Sequence, residues 1–228
     1  MRLTSLSVNG KVTCHDFHLL NPAIMEVSAR LQSAILDSPC ENNEIVSGSR
    51  VDSRRNLIGT TGFIEACSYG HLETVSLLLQ DPRIDVNKGD DYGKTGFMYA
   101  CSNGSSDIVT LLLQDSRIDV NKGDKNGKTG FILACYWGNR TIVRLLLQEA
   151  RVDINKGNEY GRTGFIHACH NECREIVILL LTDPRIDVNK RDNEGTAGFM
   201  IACYKGDSEI VSLLSESSRV DCVCGWKD

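Results

Sequence analysis

Apolar and polar positions along the chain follow a pattern that returns every 34 residues. The pair Gly-Phe marks the pattern five times, beginning at Gly62, Gly96, Gly130, Gly164 and Gly198. A fixed period of this length is typical of a solenoid, in which each unit buries its apolar face against its neighbours. Function is therefore expected on the surface of the stack and not in a central catalytic core.

Within one unit, the pattern predicts an exposed loop followed by two helices. Turn-forming residues fill positions 88–93 and favour a hairpin-like loop. Thr95 is suited to cap a first helix that ends at Asn103-Gly104. Ser105 is suited to cap a second helix, whose buried side is expected to contain Ile108, Val109, Leu111, Leu112 and Leu113. The sequence thus predicts an all-α solenoid.

The units are placed at about residues 50–83, 84–117, 118–151, 152–185 and 186–228. The last unit is expected to form a C-terminal cap, because Ser215 stands where earlier units have leucine and a terminal repeat needs a polar outer face. Residues 1–49 are predicted to form a tail, a capping helix that begins at Asn21-Pro22, and an irregular insertion at 38–49.

Half of the ten cysteines occupy one repeat position, each directly after an alanine: Cys67, Cys101, Cys135, Cys169 and Cys203. Helices of neighbouring units pack roughly 8–10 Å apart, whereas disulfide-bonded cysteines need Cα atoms within about 7 Å. We expect a buried ladder of thiols that do not pair with one another. Free thiols in this number favour a reducing compartment, the cytosol first and the nucleus as the alternative.

The motifs Thr-Gly-Phe, Ala-Cys, Ile-Val-x-Leu-Leu-Leu and Asp-Val-Asn make the unit resemble the ankyrin repeat, over about residues 50–223. In that family Thr-Pro-Leu-His stands where this chain has Thr-Gly-Phe-Ile or Thr-Gly-Phe-Met. The turn at 81–83 and 183–185 reads Asp-Pro-Arg and is interpreted as a lengthened loop that extends the unit beyond the usual length of about 33 residues. The tetratricopeptide repeat shares the 34-residue period but has neither the Asp-Val-Asn segment nor a hairpin.

The resemblance implies stacked helix-turn-helix units with projecting β-hairpin-like loops and a protein-binding role. It also makes the repeated asparagines Asn87, Asn121, Asn155 and Asn189 candidates for hydroxylation. Hydrogen bonding in the hairpin is the interpretation we prefer for these side chains.

Composition narrows the kinds of partner. The net charge is −5 and no apolar stretch is long enough to cross a bilayer, so a membrane role is not expected. Nucleic-acid binding needs clustered Lys and Arg, which the chain lacks. We expect a monomer that binds another protein or a peptide.

Apparent catalytic and metal motifs are weak. The Gly-Lys-Thr runs at 93–95 and 127–129 have three residues between their glycines, where a phosphate-binding loop needs four. His167, Cys169, His170 and Cys173 are zinc-ligand types, but Cys169 belongs to the ladder. No cofactor, metal or catalytic activity is therefore predicted. The alternative is a recruiting or regulatory subunit, or an enzyme, whose activity depends on the N-terminal segment with His15, Asp16 and His18.

The functional signal lies in positions that differ between units. These are residues 57, 58, 60, 68 and 69 and their equivalents at each 34-residue step, which we call the variable face and which the resemblance places on the concave surface. The predicted partner-binding residues are Tyr69, Tyr92, Lys94, Lys125, Tyr136, Trp137, Tyr160, Arg162, His170 and Tyr204. Tyr and Trp dominate binding energy in protein interfaces, so Trp137 beside Tyr136 is the expected anchor. A mere structural spacer is disfavoured by this aromatic row.

Overall fold

The structure is a computed structural model of the 228-residue chain and describes residues 58–222. The predicted tail, capping helix and insertion within residues 1–49 lie outside the described residues, as do His15, Asp16 and His18. Over residues 58–222 the chain forms helices and turns, without a strand.

Ten helices are found in the described part of the chain, two in each unit. They are α1 (Ile58–Tyr69), α2 (Leu72–Leu79), α3 (Gly96–Asn103), α4 (Ser106–Gln114), α5 (Gly130–Tyr136), α6 (Arg140–Gln148), α7 (Gly164–His170), α8 (Arg174–Thr182), α9 (Gly198–Lys205) and α10 (Ser208–Glu216). Each first helix packs on the first helix of the next unit, and each second helix on the next second helix. The predicted all-α solenoid is confirmed.

The predicted capping hydrogen bond is found at the first helix α3 but not at the second helix α4. Thr95 Oγ1 accepts a hydrogen bond from the Met98 N–H at 3.3 Å, and Thr129 and Thr163 do the same in their units. Ser105 stands at the N-cap of α4 as predicted, but its side chain makes no capping hydrogen bond. Its backbone, with ψ at 77°, lies outside the extended conformation that brings an N-cap side chain over the first turn.

The second helices bury a narrower stripe than the sequence predicts. Ile108, Val109 and Leu112 are fully buried, whereas Leu111 and Leu113 are only partly covered. This difference arises because residues one apart on a helix point about 100° away from each other, so a continuous leucine run cannot all face the core.

The repeated Gly-Phe pair forms a close contact between neighbouring units. A Cβ added at Gly130 would lie 2.8 Å from Phe97 Cε1 and 3.0 Å from Cys101 Sγ of the preceding unit. Gly96, Gly164 and Gly198 meet the equivalent Phe and Cys in the same way. Glycine is required because the ring and the thiol of the preceding unit occupy the space of a side chain.

The cysteine ladder is buried over four of its five members. Cys67, Cys101, Cys135 and Cys169 are 0% exposed. Burial raises the pKa of the Cys67 thiol to about 12 and also raises the pKa of the other three thiols. Cys203 is exposed, and here the prediction was wrong, because within residues 58–222 no further first helix packs beyond α9.

The repeated asparagines connect successive units. Asn121 Nδ2 donates to the Arg151 carbonyl oxygen at 2.6 Å, and its Oδ1 accepts from the Asp153 N–H at 2.7 Å. Asn87, Asn155 and Asn189 make the same pair of bonds to the following unit. Hydrogen bonding is thus confirmed for these side chains, but it joins one hairpin to the next unit and does not stay inside the hairpin.

Arginines of the lengthened turn also cross between units. Arg151 pairs with Glu149 at 3.1 Å and donates from Nη2 to the Leu113 carbonyl oxygen, at the end of α4, at 2.6 Å. Arg117, Arg185 and Arg219 likewise donate to the ends of α2, α6 and α8. The turn therefore does more than lengthen a loop, because its arginine donates to carbonyl groups at helix C-termini, which have no partner within their own helix.

Candidate functional site

The hairpin tips form one of the two rows that make up the variable face. Each tip is closed by one side chain: Asp124 Oδ1 accepts from the N–H groups of Asn126 and Lys128 at 2.9 and 2.8 Å. Asp90, Asn158 and Asp192 do the same in the other units. A backbone hydrogen bond of 2.9–3.0 Å joins each tip to the next, from Lys125 to Tyr92, from Glu159 to Asn126 and from Asn193 to Tyr160.

The C-terminal ends of the first helices form the second row. Asn103 Nδ2 donates to the Ser68 carbonyl oxygen at 2.8 Å, and Asn171 Nδ2 to that of Tyr136 at 2.8 Å. Lys128 joins the two rows, since its Nζ lies over the Tyr136 ring, 4.9 Å from the centroid. The hairpin tips and helix ends therefore meet in one surface.

Most of the large exposed apolar side chains lie on this surface. The exposed fractions are 53% for Tyr69, 72% for Tyr92, 62% for Trp137, 58% for Tyr160 and 80% for Tyr204. In the described part of the chain Leu72 and Leu77, both on α2, are the other exposed large hydrophobics. Single exposed apolar residues are ordinary, but their concentration at equivalent positions points to a contact surface.

Tyr136 differs from the other predicted aromatic residues because it is half-buried. Its ring meets Trp137 edge-on with centroids 5.1 Å apart and His167 of the next unit with centroids 5.6 Å apart. With Lys128 above it, Tyr136 has neighbours on several sides. Tyr136 therefore supports the Trp137 ring through an edge-on contact and exposes little of its own surface.

Tyr99 is a residue of this surface that sequence reasoning missed. Its hydroxyl donates to Asp90 Oδ2 at 2.7 Å, and the Lys94 Nζ lies 5.4 Å from its ring centroid. Burial and the bond to Asp90 raise the pKa of Tyr99 to about 12, so the hydroxyl stays protonated as a donor. The available signal was that residue 99 occupies a position that changes from unit to unit.

The charged residues predicted for the site have unlike surroundings. Arg162 is half-buried and pairs with Asp192 at 3.0 Å and with Glu194 at 3.6 Å. Lys125 is exposed at the tip of the central hairpin. His170 is also exposed, with Nδ1 2.9 Å from the side-chain oxygen of the adjacent Asn171.

His167 is buried beneath the surface and was considered in the sequence only as a metal ligand. Its Nε2 lies 3.4 Å from the Asn158 amide nitrogen, which fits an accepting, neutral imidazole. Burial lowers the pKa of His167 to about 4, with further lowering by the charges of Lys128, Arg162 and His170. Unit 4 thus pairs Asn158 with histidine where unit 2 pairs Asp90 with tyrosine.

The described residues offer no group of three or more His, Cys, Asp and Glu side chains placed to hold a metal ion. His167 and Cys169 are buried, whereas His170 is exposed, so the structure does not bring the predicted zinc-ligand types together. Over the same range, no helix has the length and apolar character needed to cross a membrane.

The family model described as "Ankyrin repeats (3 copies)" matches residues 39–124 and 117–192, which is more than half of the chain. Comparison with curated proteins gives no match. Ankyrin repeats generally act as protein interaction modules and are typically non-catalytic. The 34-residue units, the paired helices and the matched sequence all lead to one assignment: the chain belongs to the ankyrin repeat family.

Proposed function

We propose that this protein is a non-catalytic adaptor that binds another protein or a peptide on the variable face. The observation that carries the proposal is Trp137, which is 62% exposed in the central unit and rests on Tyr136. Binding anchors are enriched in Trp and Tyr and tend to lie at the centre of an interface. A surface tryptophan held by a second aromatic ring has the features of such an anchor.

The expected energy of this contact is large enough to measure. An aromatic side chain contributes roughly 150–250 Å² when fully buried. Covering the exposed part of Trp137 at about 25 cal/mol per Å² corresponds to about 2–4 kcal/mol. Loss of about 2 kcal/mol weakens binding by about 30-fold.

The charges around the anchor support a polar protein partner. Both Lys94 and Lys125 and the acidic Asp91, Glu159 and Glu194 lie along the hairpin tips. A mixed polar rim around an apolar centre is typical of protein interfaces. Nucleic acid would need a more uniformly basic row, and a lipid surface a more continuous apolar one.

We further propose that the protein works as a monomer in a reducing compartment, the cytosol or the nucleus. Four buried thiols in the ladder support the compartment, because such thiols persist where disulfides do not form. Light scattering and fractionation of cells that express the chain check these two statements, with a dimer or secretion as the contradicting result.

Affinity capture from cell extract tests the proposed face. The full-length protein is compared with Trp137→Ala, which removes the anchor, and with Leu77→Ala as a matched control. Leu77 is 57% exposed on a second helix, outside the variable face. Partners retained by the wild type and by Leu77→Ala but lost with Trp137→Ala are expected.

Equal capture by all three proteins would contradict the proposed face. Removal of residues 1–20 separates the proposal from the alternative of an activity in the N-terminal segment. An adaptor of the proposed kind keeps its partner after this truncation, whereas a function built on His15 and His18 is lost.

A further inference from the structure

Two lysines of the variable face hold their ammonium groups over aromatic rings without a carboxylate partner. Lys94 Nζ lies 5.4 Å from the Tyr99 ring centroid, and Lys128 Nζ lies 4.9 Å from that of Tyr136. The two lysines occupy the same position in successive units. Among the described residues, neither forms an ion pair with a carboxylate oxygen within 4.0 Å.

The cation at the equivalent position of the following unit does have carboxylate partners. Arg162 follows Lys128 by one unit and pairs with Asp192 at 3.0 Å and with Glu194 at 3.6 Å. Nearer the lysines, the Oδ1 atoms of Asp90 and Asp124 accept hydrogen bonds from two backbone N–H groups each. Carboxylates therefore neutralise Arg162, whereas Lys94 and Lys128 have no direct carboxylate partner.

Lys94 and Lys128 place two positive charges on this face although the whole chain carries a net charge of −5. The charges of Lys128 and Arg162 also reach buried His167, whose pKa they lower in addition to the larger effect of burial. An acidic segment is repelled by most of an acidic protein and attracted to such a place. The variable face therefore favours a negatively charged ligand.

An apolar contact lies next to the open charges. Lys128 lies on the face of the Tyr136 ring, and the same ring supports the exposed Trp137 edge-on. A ligand that neutralises Lys128 consequently places its neighbouring residues beside the indole. This arrangement selects carboxylates that are accompanied by an apolar side chain.

We propose that the ligand of the variable face is an extended acidic peptide segment of the partner protein. Its carboxylates pair with Lys94 and Lys128, and an adjacent apolar side chain packs on Trp137. Equivalent helices of neighbouring units lie roughly 8–10 Å apart. An extended chain in the polyproline II conformation advances about 3.1 Å per residue, and residues three apart lie on the same side. The two carboxylates should therefore be about three residues apart in the peptide.

This inference rests on the proposed function, and peptide selection tests it. Random phage-displayed peptides of about 12 residues, which span about 40 Å when extended, are selected on the full-length protein. Lys94→Gln/Lys128→Gln removes both charges, and Lys94→Arg/Lys128→Arg retains them. Arg144→Gln, a change at an exposed cation on a second helix, is the matched control. Circular dichroism confirms that each variant keeps its helices.

Peptides selected on the wild type should carry two acidic residues about three apart and an apolar neighbour. We expect a synthetic copy to bind the double Gln variant about 3- to 10-fold more weakly, since each partly exposed ion pair contributes modestly. The double Arg variant and Arg144→Gln should retain the affinity. Binding to the wild type should also weaken as salt is added.

Two results would overturn the inference and leave the proposed function standing. One is a set of peptides that depends on Trp137 but has no acidic preference and binds the double Gln variant equally well. The other is displacement of the selected peptide by polyuridine at equal charge, which would indicate a general anion surface. Failure to select any peptide that depends on Trp137 would contradict both the inference and the proposed function.

Discussion

The residues that join the units and the residues of the variable face follow opposite rules. At the joining positions the same side chain returns in each unit, as with Asn121 and Arg151, because each meets the same backbone carbonyl of its neighbour. On the variable face the residue changes at most steps, as from Tyr69 through Asn103 to Trp137, although Lys94 and Lys128 are the same. The comparison teaches that the repeated joining residues make contacts between units, whereas the variable face carries most of the exposed large apolar side chains and is the surface that we propose for a partner.

Among the residues that join the units, Leu146→Ala is expected to cause the largest loss of stability. Leu146 is fully buried in α6, and a core truncation of this kind costs about 2–5 kcal/mol of the free energy of unfolding. Stability in a stack is a sum of units and nearest-neighbour interfaces, so the loss should concentrate in residues 118–185. Hydrogen exchange measures this, and faster exchange confined to another region would contradict the proposed register.

A pH-dependent effect is expected from buried His167. The unfolded imidazole has a pKa near 6.5, whereas the native pKa is about 4. Above pH 6.5 neither state is protonated, so the residue has no effect on stability. Between pH 6.5 and pH 4 the unfolded state binds a proton that the native state does not. The free energy of unfolding therefore falls as the pH falls through this window, by up to about 3 kcal/mol.

His167→Leu, which introduces the side chain that unit 3 carries at this position, should remove that part of the pH dependence. Urea unfolding at pH 7.5 and pH 4.5 measures the slope for both proteins. Carboxylates with lowered pKa values, such as Asp81, affect both proteins alike and cancel in the difference. Equal slopes for the wild type and the variant would show that His167 is not buried as a neutral group.

The contact between units at glycine can be tested by one added methyl group. Gly130→Ala should destabilise the protein by about 1–3 kcal/mol, because its Cβ would lie 2.8 Å from Phe97 Cε1. Gly62→Ala is the matched control, since among the described residues an added Cβ there meets nothing within 4 Å. Because Gly62 lies in the middle of α1, the Gly62→Ala control should raise the free energy of unfolding by about 0.5–1 kcal/mol. Thermal unfolding that moves both variants the same way would refute the contact.

The smallest effects compare one joining residue with one residue of the variable face. Asn121→Ala removes two hydrogen bonds to the next unit and should cost about 1–2 kcal/mol. Trp137→Ala, at a side chain that is 62% exposed, should change stability by less than about 0.5 kcal/mol. Denaturant unfolding measures both, and a larger loss with Trp137→Ala would reverse the assignment of structural and surface positions.

The sequence was sufficient to predict the fold because each unit repeats its own signals. The 34-residue period, the capping threonines and the breaks such as Asn103-Gly104 are local signals. The threonine caps are confirmed in units 2 to 4, whereas Thr61 of unit 1 lies inside α1. Contacts between units could not be predicted in this way. The bonds of Asn121 and Arg151 join residues 30 and 38 positions apart, and only the packed structure shows which carbonyl each one reaches.

The candidate site shows a similar division. The sequence identified which positions vary, and four tyrosines and Trp137 at these positions are indeed exposed. It did not reveal that Tyr136 is covered by its neighbours, because His167 of the following unit and Lys128 of the hairpin approach it only after stacking. Which of these side chains bind a partner stays a prediction.

Photo-crosslinking in cells tests the central claim most directly. A photoreactive benzoylphenylalanine is placed at position 137 in one protein and at position 77 in another, since both native side chains are exposed apolar residues. The account predicts a discrete crosslinked species from position 137 that excess wild-type protein suppresses and excess Trp137→Ala does not. A competed crosslink from position 77, with none from position 137, would place the binding surface on the second helices and contradict the account.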